Sequence, residues 1–197
     1  VIVGQIQRGD SILIHAGSGG VGQAAISVAL YYGCEVFTTV GTPEKRALIK
    51  KLFPQLKDSH IGNSRDTSFE QMICKETNGK GVDVVLNSLS DDKLHASVRC
   101  LAYRGRFLEI GKFDINNNTL LDVAPKEISF HGIMLDDIFD QPPENIKRVH
   151  ELLLTGIACG VVRPLTYCIF EKNEIESAFR YMAAGKHIGK VRIDTIE

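Results

Sequence analysis

The chain has 197 residues, 44% of them hydrophobic, with a formal net charge of -1 and a pI near 6.7. That is enough apolar material for one substantial core, or one domain plus a fragment of another. Near-neutral charge without a basic stripe argues against nucleic acid or an anionic membrane as partner, no apolar run reaches the length of a membrane span, and no signal-peptide pattern opens the chain.

The chain opens without Met in an apolar stub, Val1 to Ile6, which reads as the tail of something that began upstream, and Gln-Arg-Gly-Asp is a turn before the first strand. Ile12 to His15 reads as a buried strand, and the breaker-free run Gln23 to Leu30 as a helix. Between them lies Ala-Gly-Ser-Gly-Gly-Val-Gly, in which Gly17, Gly19 and Gly22 fall at Gly-x-Gly-x-x-Gly spacing. Strand, glycine turn and helix in that order are the dinucleotide-binding fingerprint. Gly17 is expected to allow the tight turn, Gly19 to let the backbone approach a pyrophosphate, and Gly22 to let helix pack on strand. Gly17, Ser18, Gly19, Gly20, Val21 and Gly22 are therefore candidate cofactor-binding residues, with phosphates held on the free N–H groups at the helix start.

Gly33 closes the first helix, and Glu35 to Val40 is a β-branched and aromatic second strand. Its end carries Thr39, Val40 and Gly41 where an NAD-specific fold places an acid for the ribose 2′-OH. Instead Thr42 and Pro43 open a helix, and Lys45 and Arg46 follow within one turn of the strand end. Missing acid and added cations together favour NADPH over NADH. His60 to Asn63 is a short third strand, and Thr67-x-x-Glu70 spells a capping box for a helix Ser68 to Glu76. Arg65 is a candidate for the adenosine end, or equally a surface arginine.

Val82 to Leu86 is a fourth strand ending at Asn87, where a cofactor would cross the sheet. Ser90 is expected to cap a helix running to Leu101, and the fifth strand is Arg106 to Ile110, followed by Gly111 and Lys112. Asn116 to Pro125 is polar and irregular, Ile128 to Met134 is a sixth strand ending at Asp136, and Glu144 to Thr155 is a further helix. The pattern is α/β, a doubly wound parallel six-stranded Rossmann sheet over 1–160. The tail 161–197 breaks that rhythm. A strand through Ile169, a helix capped at Asn173-x-x-Glu176 and a strand Val191 to Asp194 read as the remnant of a mostly absent second lobe. The five cysteines, Cys34, Cys74, Cys100, Cys159 and Cys168, are scattered without Cys-x-x-Cys spacing, which suits reduced thiols in the cytoplasm better than disulfides or a zinc knuckle.

Several longer blocks carry a more specific likeness: Ile14 to Ala25, Val36 to Gly41, Asn63 to Glu70, Gly81 to Leu89, Gly105 to Asp114 and Phe179 to Val191. In these the chain resembles the nucleotide-binding part of the enoyl reductase domain of an animal-type fatty acid synthase, in the medium-chain dehydrogenase/reductase superfamily. Polyketide synthase enoyl reductases are similar in several blocks. The resemblance implies NADPH as hydride donor to the β-carbon of a trans-2-enoyl thioester on acyl carrier protein, with the α-carbon then protonated. It implies no zinc, neighbouring synthase domains as partners, and a homodimer formed through the nucleotide-binding lobe. It places Lys45 at the 2′-phosphate and makes Lys112 and Asp136 candidate proton donors; Arg46, Arg65, Thr39, Asn87, Ile110 and Gly111 complete the expected cofactor site. The residues taken alone leave other readings open: a loop lysine at Lys112, a solvated loop acid at Asp136, a satisfied core histidine at His15, and a plain turn at Lys186 and His187. Two other functions remain compatible, a non-catalytic NADPH-binding or dimerisation module and a quinone-reductase-like oxidoreductase.

Overall fold

In the first strand, β1 (Ser11–Ile14), side chains alternate between two apolar layers, Ile12 and Ile14 in one and Leu13 in the other. A strand covered on both faces belongs inside a parallel sheet. The computed structural model describes residues 1–111, 126–136 and 142–195. Among these, β1 lies between β2 (Glu35–Val40) and β4 (Val82–Asn87), in a parallel six-stranded sheet of order β3-β2-β1-β4-β5-β6. β3 (Ile61–Asn63) and β6 (Ser129–Gly132) form its edges, and β5 (Leu101–Glu109) lies inside β6. This is the doubly wound order expected from the alternation of strands and helices.

The two faces are covered by different helices. Ile26 and Ala29 of α1 (Gly20–Tyr31) and Ile49 of α2 (Pro43–Leu52) pack with Ile12, Val36 and Val84 on one side. Phe69 and Ile73 of α3 (Phe69–Glu76) and Leu94 and Val98 of α4 (Asp92–Arg99) pack with Leu13, Phe37 and Phe107 on the other. Thr42 caps α2 as expected, its Oγ1 accepting the Lys45 N–H at 3.3 Å, with Pro43 at the first position.

Other local expectations are corrected. No capping box forms at Thr67 and Glu70, because both Glu70 carboxylate oxygens pair with Arg99 at 2.8 Å, while Asp66 accepts the Ser68 N–H at 2.9 Å. Ser90 does not cap α4; it donates to Asp91 at 3.1 Å, and the helix ends at Arg99. β5 begins at Leu101 rather than Arg106. Tyr103-Arg104-Gly105 is a bulge inside the strand, Arg104 taking φ 60° while the register slips between Val82 and Val84. In place of a box of Asn173 and Glu176 on the last helix, a capping box of Glu171 and Glu174 closes the 3-10 turn Lys172–Glu174 that leads into it.

Beyond the sheet, α5 (Pro143–Ala158) is a mostly exposed helix presenting Ile146, Leu153, Leu154 and Ile157 to the surface. The tail forms a separate parallel pair, β7 (Tyr167–Glu171) with β8 (Lys190–Asp194), joined by α6 (Ile175–Ala183). Its last turn returns to the main sheet. The Gly189 N–H donates to the Ser18 carbonyl at 2.8 Å, giving an isolated parallel bridge between Gly19 and Gly189. Among the described residues no helix is long and apolar enough to cross a membrane.

Candidate functional site

The strand order reverses between β1 and β4, and open α/β sheets bind ligands outside the carboxyl ends at such a point. Two adjoining cavities of about 340 and 470 Å³ lie there, both lined by Ala16, Gly19, Ser88 and His187. The first continues past Gly20, Gly22 and Ile110, the second past Gly41, Lys45, Arg65 and Lys93.

The glycine turn forms the floor, for reasons that differ in part from those its spacing suggests. The positive φ in the turn belongs to Ala16, at 52°, whereas Gly17 is required by space: a methyl group there would overlap Thr38 Oγ1. A methyl at Gly22 would overlap the Ala16 carbonyl and lie 2.6 Å from Gly17 Cα. α1 starts from Gly19 with no side-chain cap and no acid in its first turn, so the positive helix end and its free N–H groups face the cavity uncovered. Ser18 is buried and uses its carbonyl to accept from Gln23 Nε2 at 2.8 Å, while Val21 is exposed.

At the far end, Lys45 and Arg65 flank Gly41. A methyl at Gly41 would meet Arg65 Nε at 2.8 Å, and Lys45 Nζ donates to the Gly185 carbonyl at 2.6 Å. Burial first, and the Arg65 guanidinium second, hold the Lys45 ammonium below its ordinary pKa. Arg46 donates to the Ile61 and Asp58 carbonyls and pairs with the Asp58 carboxylate at 3.6 Å, and it lines a further cavity with Val40 and Gly41 rather than the larger of the two above.

Thr39 and Asn87 are also committed elsewhere. The Ser97 hydroxyl donates to the Lys93 carbonyl at 2.6 Å, so it must accept from His15 Nε2 at 2.8 Å. His15 Nδ1 is then an acceptor for the Thr39 hydroxyl at 2.9 Å, which uses up the donor that Thr39 would offer a ligand. Burial lowers the His15 pKa to about 3, so the ring is neutral and is no proton donor at neutral pH. With the folded pKa depressed, the stability contributed by neutral His15 is complete above its unfolded pKa and is lost as pH falls toward 3. Wild type should lose about 2 kcal/mol of unfolding free energy from this group between pH 7 and pH 5, and the His15→Gln variant none of that share, as read by denaturant melts at both pH values.

Asn87 donates Nδ2 to the Leu89 carbonyl at 2.7 Å and to Glu109 Oε2 at 2.6 Å. Its side chain thus bridges the loop after β4 and the end of β5. Ile110 lines the smaller cavity, and the Gly111 N–H donates to Glu109 Oε1 at 2.6 Å. Asp136 is exposed in the turn after β6, and Lys112 lies outside the described residues. No group of three or more His, Cys, Asp or Glu side chains that could hold a metal occurs among the described residues.

Sequence reasoning missed the outer wall of the groove. Gly185, His187, Gly189 and Lys190 come from the tail, some 140 residues from Lys45 in sequence. The Lys190 side chain lies over Gly20, where a methyl would stand 3.1 Å from its Nζ. Among the described residues the one buried side-chain nitrogen or oxygen without a hydrogen-bond partner is His187 Nδ1. Such atoms are nearly always bonded in proteins, and this one sits in the wall shared by both cavities. No short-range pattern announces this contact. Its visible mark is that it falls within the Phe179 to Val191 block that carries the family likeness.

A family model described as "Zinc-binding dehydrogenase" matches residues 20–154. The chain is 43% identical over 194 residues to the highly reducing polyketide synthase ZEA2 of Gibberella zeae, covering 97% of this chain but 8% of that protein. Among solved structures it is similar to the CurK enoyl reductase, with TM-score 0.85 and 37% identity over 98% of this chain and 57% of the other. It is also similar to the nucleotide-binding subdomain of the enoylreductase domain of PpsC from Mycobacterium tuberculosis, with TM-score 0.73 and 36% identity over 83% and 90% of the two chains. ZEA2 is a polyketide synthase, and a further similar structure, 35% identical over 84% of this chain, is described as "Putative enoyl reductase domain of polyketide synthase", so the likeness to an animal-type fatty acid synthase gives way to one to polyketide synthase enoyl reductases. The chain belongs to the zinc-binding dehydrogenase family and, within it, to the enoyl reductase domains of polyketide synthases.

Proposed function

We propose that this chain is the NADPH-binding part of an enoyl reductase that converts a trans-2-enoyl thioester on acyl carrier protein to the saturated acyl thioester. The parent is a cytoplasmic reducing polyketide synthase, whose other domains are the partners. The observation that carries the reading is the pairing of Lys45 and Arg65 across Gly41 at the end of β2, in a groove that begins at an uncapped glycine-rich helix start.

The residues present fit the cofactor. Glycines keep space free where side chains would fill the cradle, the first N–H groups of α1 suit a diphosphate, and two cations suit a 2′-phosphate. Lys190 and His187 add a cation and a ring nitrogen along the same wall. When bound, NADPH supplies the hydride for the β-carbon of the substrate. The chain itself binds and orients: Lys45 and Arg65 hold one end, the α1 N-terminus the middle, and Ile110 with Leu86 and Ser88 the nicotinamide end. Lys112 and Asp136 stay as candidates for the proton delivered to the α-carbon.

The apolar residues exposed on α5, and Tyr167, Ile169 and Phe179 on the tail, suit contact with a second lobe to which 161–197 belongs. Dimerisation through the nucleotide-binding lobe would use the edge strand β6. The full-length protein should reduce a crotonyl thioester with NADPH. The 197-residue chain should bind NADPH weakly and show little or no reduction, since one wall of the substrate cleft lies in the other lobe. Robust turnover by the chain alone, or a full-length protein that prefers NADH, would overturn the reading.

A further inference from the structure

Glu109 has no part in the cofactor reading above, yet it is a fully buried acid at the last position of β5. Its Oε2 accepts from Asn87 Nδ2 and its Oε1 from the Gly111 N–H, each at 2.6 Å. Asn87, equally buried, also donates to the Leu89 carbonyl and accepts the Ile110 N–H on its own carbonyl at 3.0 Å. Charged side chains are almost never fully buried unless the burial secures something, because removing a carboxylate from water is costly. Here it secures both loops that line the groove: Ser88 and Leu89 after β4, and Ile110 after β5.

We infer that Glu109 is a positioning residue: through Asn87 and the Gly111 N–H it fixes the loop walls against which the nicotinamide rests, and so sets the line of hydride approach without touching the cofactor. The inference rests on the cofactor reading above. It separates affinity from reactivity. The diphosphate and 2′-phosphate contacts lie at other residues, so loosening this bracket should spare binding and impair transfer.

Glu109→Gln tests it, because the shape is kept while one acceptor becomes a donor that must face either Asn87 Nδ2 or the Gly111 N–H. In the 197-residue chain, fluorescence titration should give an NADPH Kd within about threefold of wild type. The emission of the bound nicotinamide should shift toward that of free NADPH. In the full-length protein kcat should fall at least about 20-fold, with a larger isotope effect from NADPH deuterated at the transferred position. Glu109→Asp keeps the charge but shortens the reach, and should show the same signs at roughly fivefold in kcat, which covers the case of a glutamine variant that fails to fold. Unchanged kcat and emission with only a lower melting temperature would overturn the inference while leaving the cofactor reading intact. Failure of wild type to bind NADPH would overturn both.

Discussion

Lys45→Glu should lower the affinity of the chain for NADPH by about 100-fold and leave its affinity for NADH within threefold. Loss of one charge-assisted hydrogen bond costs about 1.5–3 kcal/mol, and each 1.4 kcal/mol is tenfold in Kd. The introduced carboxylate adds repulsion toward a phosphate dianion and leaves Arg65 without its neighbouring cation beside Gly41. Arg46→Glu is the internal control. Its side chain is engaged with the Ile61 and Asp58 carbonyls, so coenzyme preference should change far less than in Lys45→Glu. The Lys45 contact also carries a pH signature. Burial and Arg65 lower its pKa, so preference for the phosphorylated coenzyme should fade on the alkaline side before an ordinary lysine would release its proton. Titration of NADPH and NADH fluorescence across pH, for wild type and both variants, checks all three statements.

Gly22→Val should cost about 3 kcal/mol of stability and abolish NADPH binding together. The new side chain has no room, because the Ala16 carbonyl and Gly17 Cα already occupy the volume, and both are backbone atoms that cannot rotate away. Overpacking a tight site typically costs about 1–3 kcal/mol, which in a chain of this size lowers the melting temperature by roughly 6–12 °C at the upper end. Relief requires α1 to move off β1, and that displaces the N–H groups on which the diphosphate rests. Gly9→Ala is the contrast: no atom lies within 4 Å of the added methyl, although φ of +91° keeps some strain. Its melting temperature should fall modestly and NADPH binding should persist.

The sheet was legible because its signals are local. β1 and β4 are short apolar runs, the helices between strands carry their own periodicity, and Gly33 and Pro43 mark ends through backbone constraint alone. Misplaced boundaries came from features decided at a distance. β5 starts early because Leu101 finds Val82 as a partner, and Arg104 looked like a turn because a bulge uses the same backbone conformation. Glu70 fits a capping box on paper, but Arg99, 29 positions on, competes for its carboxylate with two bonds.

The site divides along the same line. The glycine turn and Lys45 were readable, since spacing along one strand, turn and helix determines them. The bonds of Arg46 to Ile61 and Asp58 were not readable, because those partners come from the segment before and into β3. Thr39 and Asn87 stand at the right strand ends, but His15 and Glu109 take their side chains. Glu109 belongs to no motif read from the sequence; its complete burial sets it apart. The tail turn with His187 and Lys190 reaches the groove through tertiary folding that no window of sequence contains.

A crystal structure of the chain with NADPH bound addresses the central claim most directly. The account predicts the 2′-phosphate within hydrogen-bond distance of Lys45 Nζ and Arg65, with Lys45 drawn from the Gly185 carbonyl, and the diphosphate over the first turn of α1. Adenosine lodged elsewhere, or a 2′-phosphate pointing into solvent away from both cations, would contradict it.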